Sequence, residues 1–169
     1  MNRLWPCTRI TAISAAFGTL FALTLTSATS YADGHRGDND KAERAVQTRQ
    51  SALKLMGFYM GPLGAMARGR VPVDLAVIEN NAIRIASLAP MLKETFKSDT
   101  RGAEVETEAL DVIWEQWDKF TTNADATEEK ATALATLAAA GSEDGIRQAI
   151  GAVGKTCGGC HDDFREDDD

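Results

Sequence analysis

The chain has 169 residues, three cysteines, two histidines and a formal charge of −7, which becomes −9 once Arg3 and Arg9, the only charges in residues 1–32, are set aside. So acidic a chain is no electrostatic nucleic-acid binder, and so few cysteines build no disulfide-dense scaffold. Beyond the N-terminal segment, no apolar run approaches the roughly 20 residues that cross a bilayer.

Residues 1–32 open with two cations, continue with an apolar stretch from Ile10 to Leu25 and end in Ser30-Tyr31-Ala32. A basic start, an apolar middle and a small-x-Ala end predict a cleaved secretory signal peptide. Cleavage is expected after Ala32, with Ala28 as the alternative. An uncleaved membrane anchor is the competing reading, but Thr, Ser and Gly break the short stretch. Either way the folded part, residues 33–169, lies outside the cytoplasm. Cys7 leaves with the signal, and Cys157 and Cys160 remain. One domain with one modest core is expected.

Residues 33–40 (DGHRGDND) are polar and Gly-rich and read as a loose arm. A first helix follows, about 39–68, because Val46, Arg49, Leu53, Met56, Met60, Leu63 and Ala67 advance by three and four. Pro62 should kink it, and Gly69 and Pro72 should stop it. Asp74 is a candidate N-cap for a second helix with its seam at Leu75, Ile78, Ala82, Ile85, Ala89 and Leu92. Pro90 should end or bend that helix near Leu88. Residues 97–107 lack an apolar period and form the longest internal loop.

A third helix opens with Leu110, Trp114 and Trp117 and closes with Leu134 and Leu137. Its polar middle, TTNADATEEK, leaves one helix or two; length and alanine content favour one. Ser142 is the candidate cap of a fourth helix. Its seam runs through Ile146, Ile150, Val153, Cys157, Cys160 and Phe164. Four amphipathic segments with short connections predict an all-α, antiparallel, up-down-up-down four-helix bundle.

Cys157-Gly158-Gly159-Cys160-His161 has the C-x-x-C-H spacing of c-type haem attachment. On a helix, positions i, i+3 and i+4 share one face. Two thiols can then meet the two vinyl groups of one porphyrin while His161 offers a nitrogen to iron. The glycines let the macrocycle approach. The competing readings are a plain disulfide, a redox C-x-x-C, which expects a βαβ context, and half a zinc site, for which only His35 is left as a partner. Gly151–Thr156 imitates a phosphate loop, but Ala149 stands where that pattern needs glycine.

With one histidine on the iron, the other side is open or held by a second ligand. Met56, Met60, Met66 and Met91 are the candidates for an alternative sixth ligand, Met56 or Met60 foremost, although adaptable core packing is the plainer reading of those two. Arg49 puts a charge in an apolar seam. It either snorkels to the surface or pairs with a haem propionate. Arg165, four residues after His161, either leans over the proximal side of the iron or pairs with Asp162 or Asp169 in solvent. The six acids between Asp162 and Asp169 oppose the helix dipole, so fraying is expected after Arg165.

These residues resemble cytochrome c′, the class II c-type cytochromes of the bacterial periplasm, over nearly all of residues 33–169. The matching parts are Arg49-Gln50-Ser51-Ala52-Leu53-Lys54-Leu55-Met56-Gly57, Gly69-x-x-Pro72-x-Asp74, Ile113-Trp114, and Gly154 to Arg165 with its C-terminal haem motif. Val73 departs from the aromatic residue usual before Asp74. The resemblance implies a left-handed bundle, often a homodimer packed through its first two helices. It implies one haem c on Cys157 and Cys160 with His161 as axial ligand. Arg49, Gln50 and Glu108 match haem-contact positions. Leu53 matches the position facing the open iron site, where low-spin relatives carry methionine. Leucine there implies five-coordinate, high-spin iron. The function implied is periplasmic electron transfer with reversible binding of small gases such as NO and CO. The redox partner is expected to be basic, to suit an acidic chain. An enzyme such as a peroxidase is not expected, since no distal His–Arg pair is seen.

Overall fold

The computed structural model describes residues 29–167 of the chain. The signal segment expected over 1–32 lies outside them except for its last four residues, and so does Cys7. Among the described residues the secondary structure is helical: α1 (Thr29–Ala67), α2 (Leu75–Phe96), a short α3 (Val112–Glu115), α4 (Trp117–Ala139) and α5 (Ile146–Phe164). α1 packs on α2, α2 on α4, α4 on α5, and α5 back on α1. Neighbours in sequence are neighbours in space, and the last helix closes on the first. That is an up-down-up-down four-helix bundle.

α1 begins earlier than expected and takes in residues 33–40, which are not a loose arm. A helix whose apolar stripe is anchored extends at one hydrogen bond per residue, and glycine within it costs only about 1 kcal/mol. Pro62 lies inside α1, which continues to Ala67. The stripe that α1 buries is Ala42, Val46, Arg49, Ala52, Met56, Leu63 and Met66. Leu53 is not on it: its side chain is 40% exposed, at the flank of the stripe.

Asp74 caps α2 as expected, accepting from the Val77 amide at 3.1 Å, a contact worth about 1 kcal/mol. Pro90 does not end α2. The helix passes through it to Phe96, because Leu92 and Phe96 are buried on the same stripe as Ile78, Ala82, Ile85 and Ala89. Tertiary burial outweighs the hydrogen bond that proline forgoes.

The third long helix is single through its polar middle. Ala124 and Thr127 face inward there, between Phe120 and Ala131. The break falls earlier, at Gln116 (φ −115°, ψ 44°), and separates the turn α3 from α4. Ser142 does not cap α5. The helix starts at Ile146, after Gly145 in the left-handed conformation (φ 74°), which favours glycine over any L side chain. Ile146, Ile150 and Val153 are then buried.

Two contacts fix the register of α1 against α5. Arg147 Nη1 donates to the carbonyl of Met66 and, at 3.3 Å, to that of Ala67. Two turns along, Met60 Cε stands 3.6 Å from where a β-carbon on Gly154 would sit. As α5 advances from 147 to 154, α1 retreats from 67 to 60, so the two helices are antiparallel. Continued along both helices, that register brings Gly57 about level with Cys157 one turn further on and Leu53 about level with His161 two turns further on.

Candidate functional site

Cys157 and Cys160 lie on α5 one turn apart, half-buried, with His161 exposed beside them. Both thiols are free, so the pair does not form the plain disulfide that the spacing also allowed. Burial pushes the Cys157 thiol up, and it pushes Cys160 to about 11, helped by the neighbouring Cys157 and Asp163. Both groups are therefore neutral thiols at physiological pH. A β-carbon on Gly158 or Gly159 would meet no atom within 4 Å. The face that carries the thiols is open to a flat, bulky group.

The other two readings of the spacing lose their support. A redox C-x-x-C expects a βαβ context, and among the described residues the only β pairing is an isolated bridge between Ala109 and Arg165. Among the same residues no three His, Cys, Asp or Glu side chains gather as a metal would require. Two free thiols at i and i+3, an imidazole at i+4 and two open glycines fit a covalently attached haem.

The comparisons decide the family. The model of the family described as Cytochrome C' matches residues 44–165. The chain belongs to the cytochrome c′ family. Its C-x-x-C-H sequence at Cys157–His161 is consistent with the haem c that the family binds. A cytochrome c′ from Halomonas halodenitrificans is 40% identical over 127 residues, covering 73% of this chain and 96% of that protein. A cytochrome c-554 from Cereibacter sphaeroides is 34% identical over 134 residues, covering 78% and 99%. Among solved structures, cytochrome c′ from Shewanella frigidimarina superposes with a TM-score of 0.69 at 34% identity, covering 75% of this chain and 97% of that one. A ferrous variant from Alcaligenes xylosoxidans with NO bound gives 0.66 at 31% identity, with 75% and 97% covered.

The remaining site residues expected from sequence divide between two regions. Leu53 and Gln50 are both exposed on α1, one turn apart, and the antiparallel register carried on from Met60 and Gly154 brings Leu53 about level with His161. Arg49, only 2% exposed, reaches the end of α2 and the loop after it. It does not snorkel. Nε donates to Thr95 O at 2.9 Å, Nη1 to Thr100 Oγ1 at 2.8 Å, and Nη2 to Ser98 O. The guanidinium lies 4.7 Å from the centre of the Phe96 ring and 5.4 Å from that of Trp114. Burial lowers its pKa, and the charge of Asp99 opposes that shift. Arg49 thus ties α1 to the end of α2 and to the loop that follows. The aperiodic loop hid these partners, although a charge in the seam did mark the position as buried.

Glu108 and Arg165 lie on two segments that pair at the end of α5 through Ala109 and Arg165. The Glu166 amide donates to Glu108 O at 2.9 Å, and the Leu110 amide to Phe164 O at 3.0 Å. Arg165 is extended (φ −120°, ψ 146°) and half-buried, and its amide closes the last turn on His161 O. The backbone leaves the helix at Arg165, one turn after His161. The helix ends at Phe164, close to the expected point, but the chain does not fray there: Arg165 pairs with Ala109 and the Glu166 amide is held by Glu108 O. Sequence reasoning missed the aromatic set Phe164–Phe120–Phe96–Trp114, with ring centres 5.5, 4.9 and 6.4 Å apart in that order.

Proposed function

We propose that this protein is a periplasmic carrier of one haem c, held by thioethers to Cys157 and Cys160 with His161 as axial ligand and the opposite face left open. The observation that carries this reading is the antiparallel register of α1 and α5. Continued along both helices it brings Leu53, a side chain with no lone pair, about level with His161, and this supports an iron with no sixth protein ligand. Haem c, once bound, supplies a one-electron couple and a site for a diatomic ligand.

The chain's own residues supply the rest. Leu53 offers no hydrogen-bond donor, so a ligand that gathers negative charge gains nothing from it. Neutral NO and CO are favoured over oxygen for that reason. Met56 is buried in the core, and Met60 lies against Gly154, about 10 Å along α1 from the level of His161. Those positions support packing roles and weigh against the alternative of a methionine-ligated, low-spin electron carrier. Gln50 and Glu108 remain haem contacts by family likeness alone. Arg49 can add a propionate contact only through N–H groups beyond those that bind the loop.

The relatives with NO bound support reversible gas binding as one role beside electron transfer. We read the protein as a carrier and not an enzyme. The N-terminal segment supports export, and among the described residues no helix is long and apolar enough to cross a membrane. A basic redox partner suits the acidic chain. Leu55, Phe58, Ile83 and Met91 leave apolar surface exposed on α1 and α2, with Phe58 at 71%. That surface supports a homodimer through the first two helices.

The deciding experiment is the ferric absorption spectrum of the exported protein, followed by NO addition to the ferrous form. High-spin bands and a ready shift with NO are expected. A methionine-type charge-transfer band in the ferric state would refute the open face.

A further inference from the structure

His161 occupies the last turn of α5, which ends at Phe164. The last four carbonyls of a helix lack intrahelical partners. Asp162, Asp163, Glu166 and Asp167 crowd this end with charge of the sign that the helix dipole disfavours. Such a turn would open readily if left alone, and a ligand on it would hold its iron loosely.

It is not left alone. The segment before α3 lies alongside it as a single antiparallel bridge, Ala109 to Arg165. The Leu110 amide donates to Phe164 O at 3.0 Å, and the Glu166 amide to Glu108 O at 2.9 Å. Lys119 on α4 ties the same turn from the side, with Nζ 2.7 Å from Asp163 Oδ1 and 5.8 Å from the centre of the Phe164 ring. The connection that supplies Leu110 is itself anchored, since Arg49 holds Ser98 and Thr100 near its start. An irregular stretch between α2 and α3 therefore reaches across the bundle and closes the helix that carries the haem ligand.

We propose that residues 108–110 are a proximal latch, and that the amides of Leu110 and Glu166 are positioning groups that limit how far His161 can move along the iron axis. The latch rests on the reading of His161 as axial ligand. It assigns the loop a role in setting the strength of the iron–imidazole bond, and through it the release of gas from the opposite face.

Proline tests both amides because it removes the N–H donor; it also fixes φ and restrains the residue before it, so each variant is first shown to fold by its far-UV circular dichroism. Glu166→Pro suits the site: Arg165 already has the extended backbone that a residue before proline prefers. Leu110→Pro removes the other bond from the opposite strand. Glu166→Ala keeps the amide and is the control. The readout is the iron–histidine stretching band in the resonance Raman spectrum of the ferrous holoprotein. Both proline variants should shift it down and broaden it and should speed CO release, while Glu166→Ala matches the wild type. A wild-type band in either folded proline variant overturns the latch. Amide exchange of the unmodified holoprotein gives a second reading that needs no variant. The amides of Leu110 and Glu166 must exchange many-fold more slowly than free-peptide rates, and unprotected amides refute the latch outright. Absence of any iron–histidine band in the wild type would instead refute His161 as ligand.

Discussion

The methyl of Met60 on α1 lies against Gly154 on α5, 3.6 Å from the position of a β-carbon there. That distance is ordinary van der Waals contact, so the glycine is not required by space for one extra carbon. Gly154→Ala should fold normally and raise the melting temperature, since alanine is favoured over glycine inside a helix by about 1 kcal/mol. Gly154→Leu should lower it, because the larger side chain must displace Met60. A loss of stability with alanine would show the helices closer here than the contact implies.

The same contact, with Arg147 on Met66 and Ala67, sets the register that brings Leu53 level with His161. Leu53→Met should therefore move the ferric spectrum toward low spin and slow NO binding, because the thioether reaches the open face. Leu53→Ala should keep the high-spin spectrum and speed ligand entry. If Leu53→Met leaves the spectrum unchanged, Leu53 does not stand over the iron.

How much of this was legible follows from the chemistry of each part. Cys157, Cys160 and His161 could be read directly, because two thioethers and one axial nitrogen on a single porphyrin demand that spacing. The α2 seam could be read because Ile78, Ile85 and Leu92 are large and apolar. The middle of α4 was harder, since Ala124 and Thr127 face inward where one is small and the other polar. The extent of α2 and the start of α5 depart from the sequence expectation for opposite reasons. Burial of Phe96 carried α2 past Pro90, while Gly145 delayed α5 beyond Ser142. The role of Arg49 was half visible. Its burial followed from the seam, but its partners lie in a loop whose sequence has no period.

Arg49 should therefore be a large contributor to stability as well as a residue near the haem end of the bundle. Arg49→Met removes three hydrogen bonds and leaves the carbonyls of Thr95 and Ser98 unsatisfied in a part-buried place. Unmade bonds of that kind cost about 1–3 kcal/mol each, so a loss of about 2–4 kcal/mol is expected in urea denaturation of the holoprotein. Arg49→Lys should recover only part of it, because a single ammonium cannot span three acceptors at the angles a guanidinium serves. Cleavage by a protease should rise within residues 97–111, where the released loop lies. Equal resistance of Arg49→Met and wild type would show that the loop is held by other contacts.

Asp99 stands beside that anchor and gives it a pH dependence. Its carboxylate accepts from Arg101 Nε and Nη2 and from the Arg101 amide, at 2.7–3.1 Å. The side-chain hydrogen bonds from Arg101 hold it below the usual carboxylate range, with smaller help from the backbone bond and from the charges of Arg101 and Arg49; burial opposes them. A carboxylate depressed in the folded state binds its proton less readily there than in the unfolded chain. Its contribution is fully present above the ordinary value near 4 and is lost as pH falls through the lower, folded value. Wild-type protein should thus exceed Asp99→Asn in stability at neutral pH, and the gap should narrow steadily below about pH 4. Denaturation midpoints measured for both proteins across that window test this. A gap that widens in acid would mean that Asp99 is not held in its charged form by Arg101.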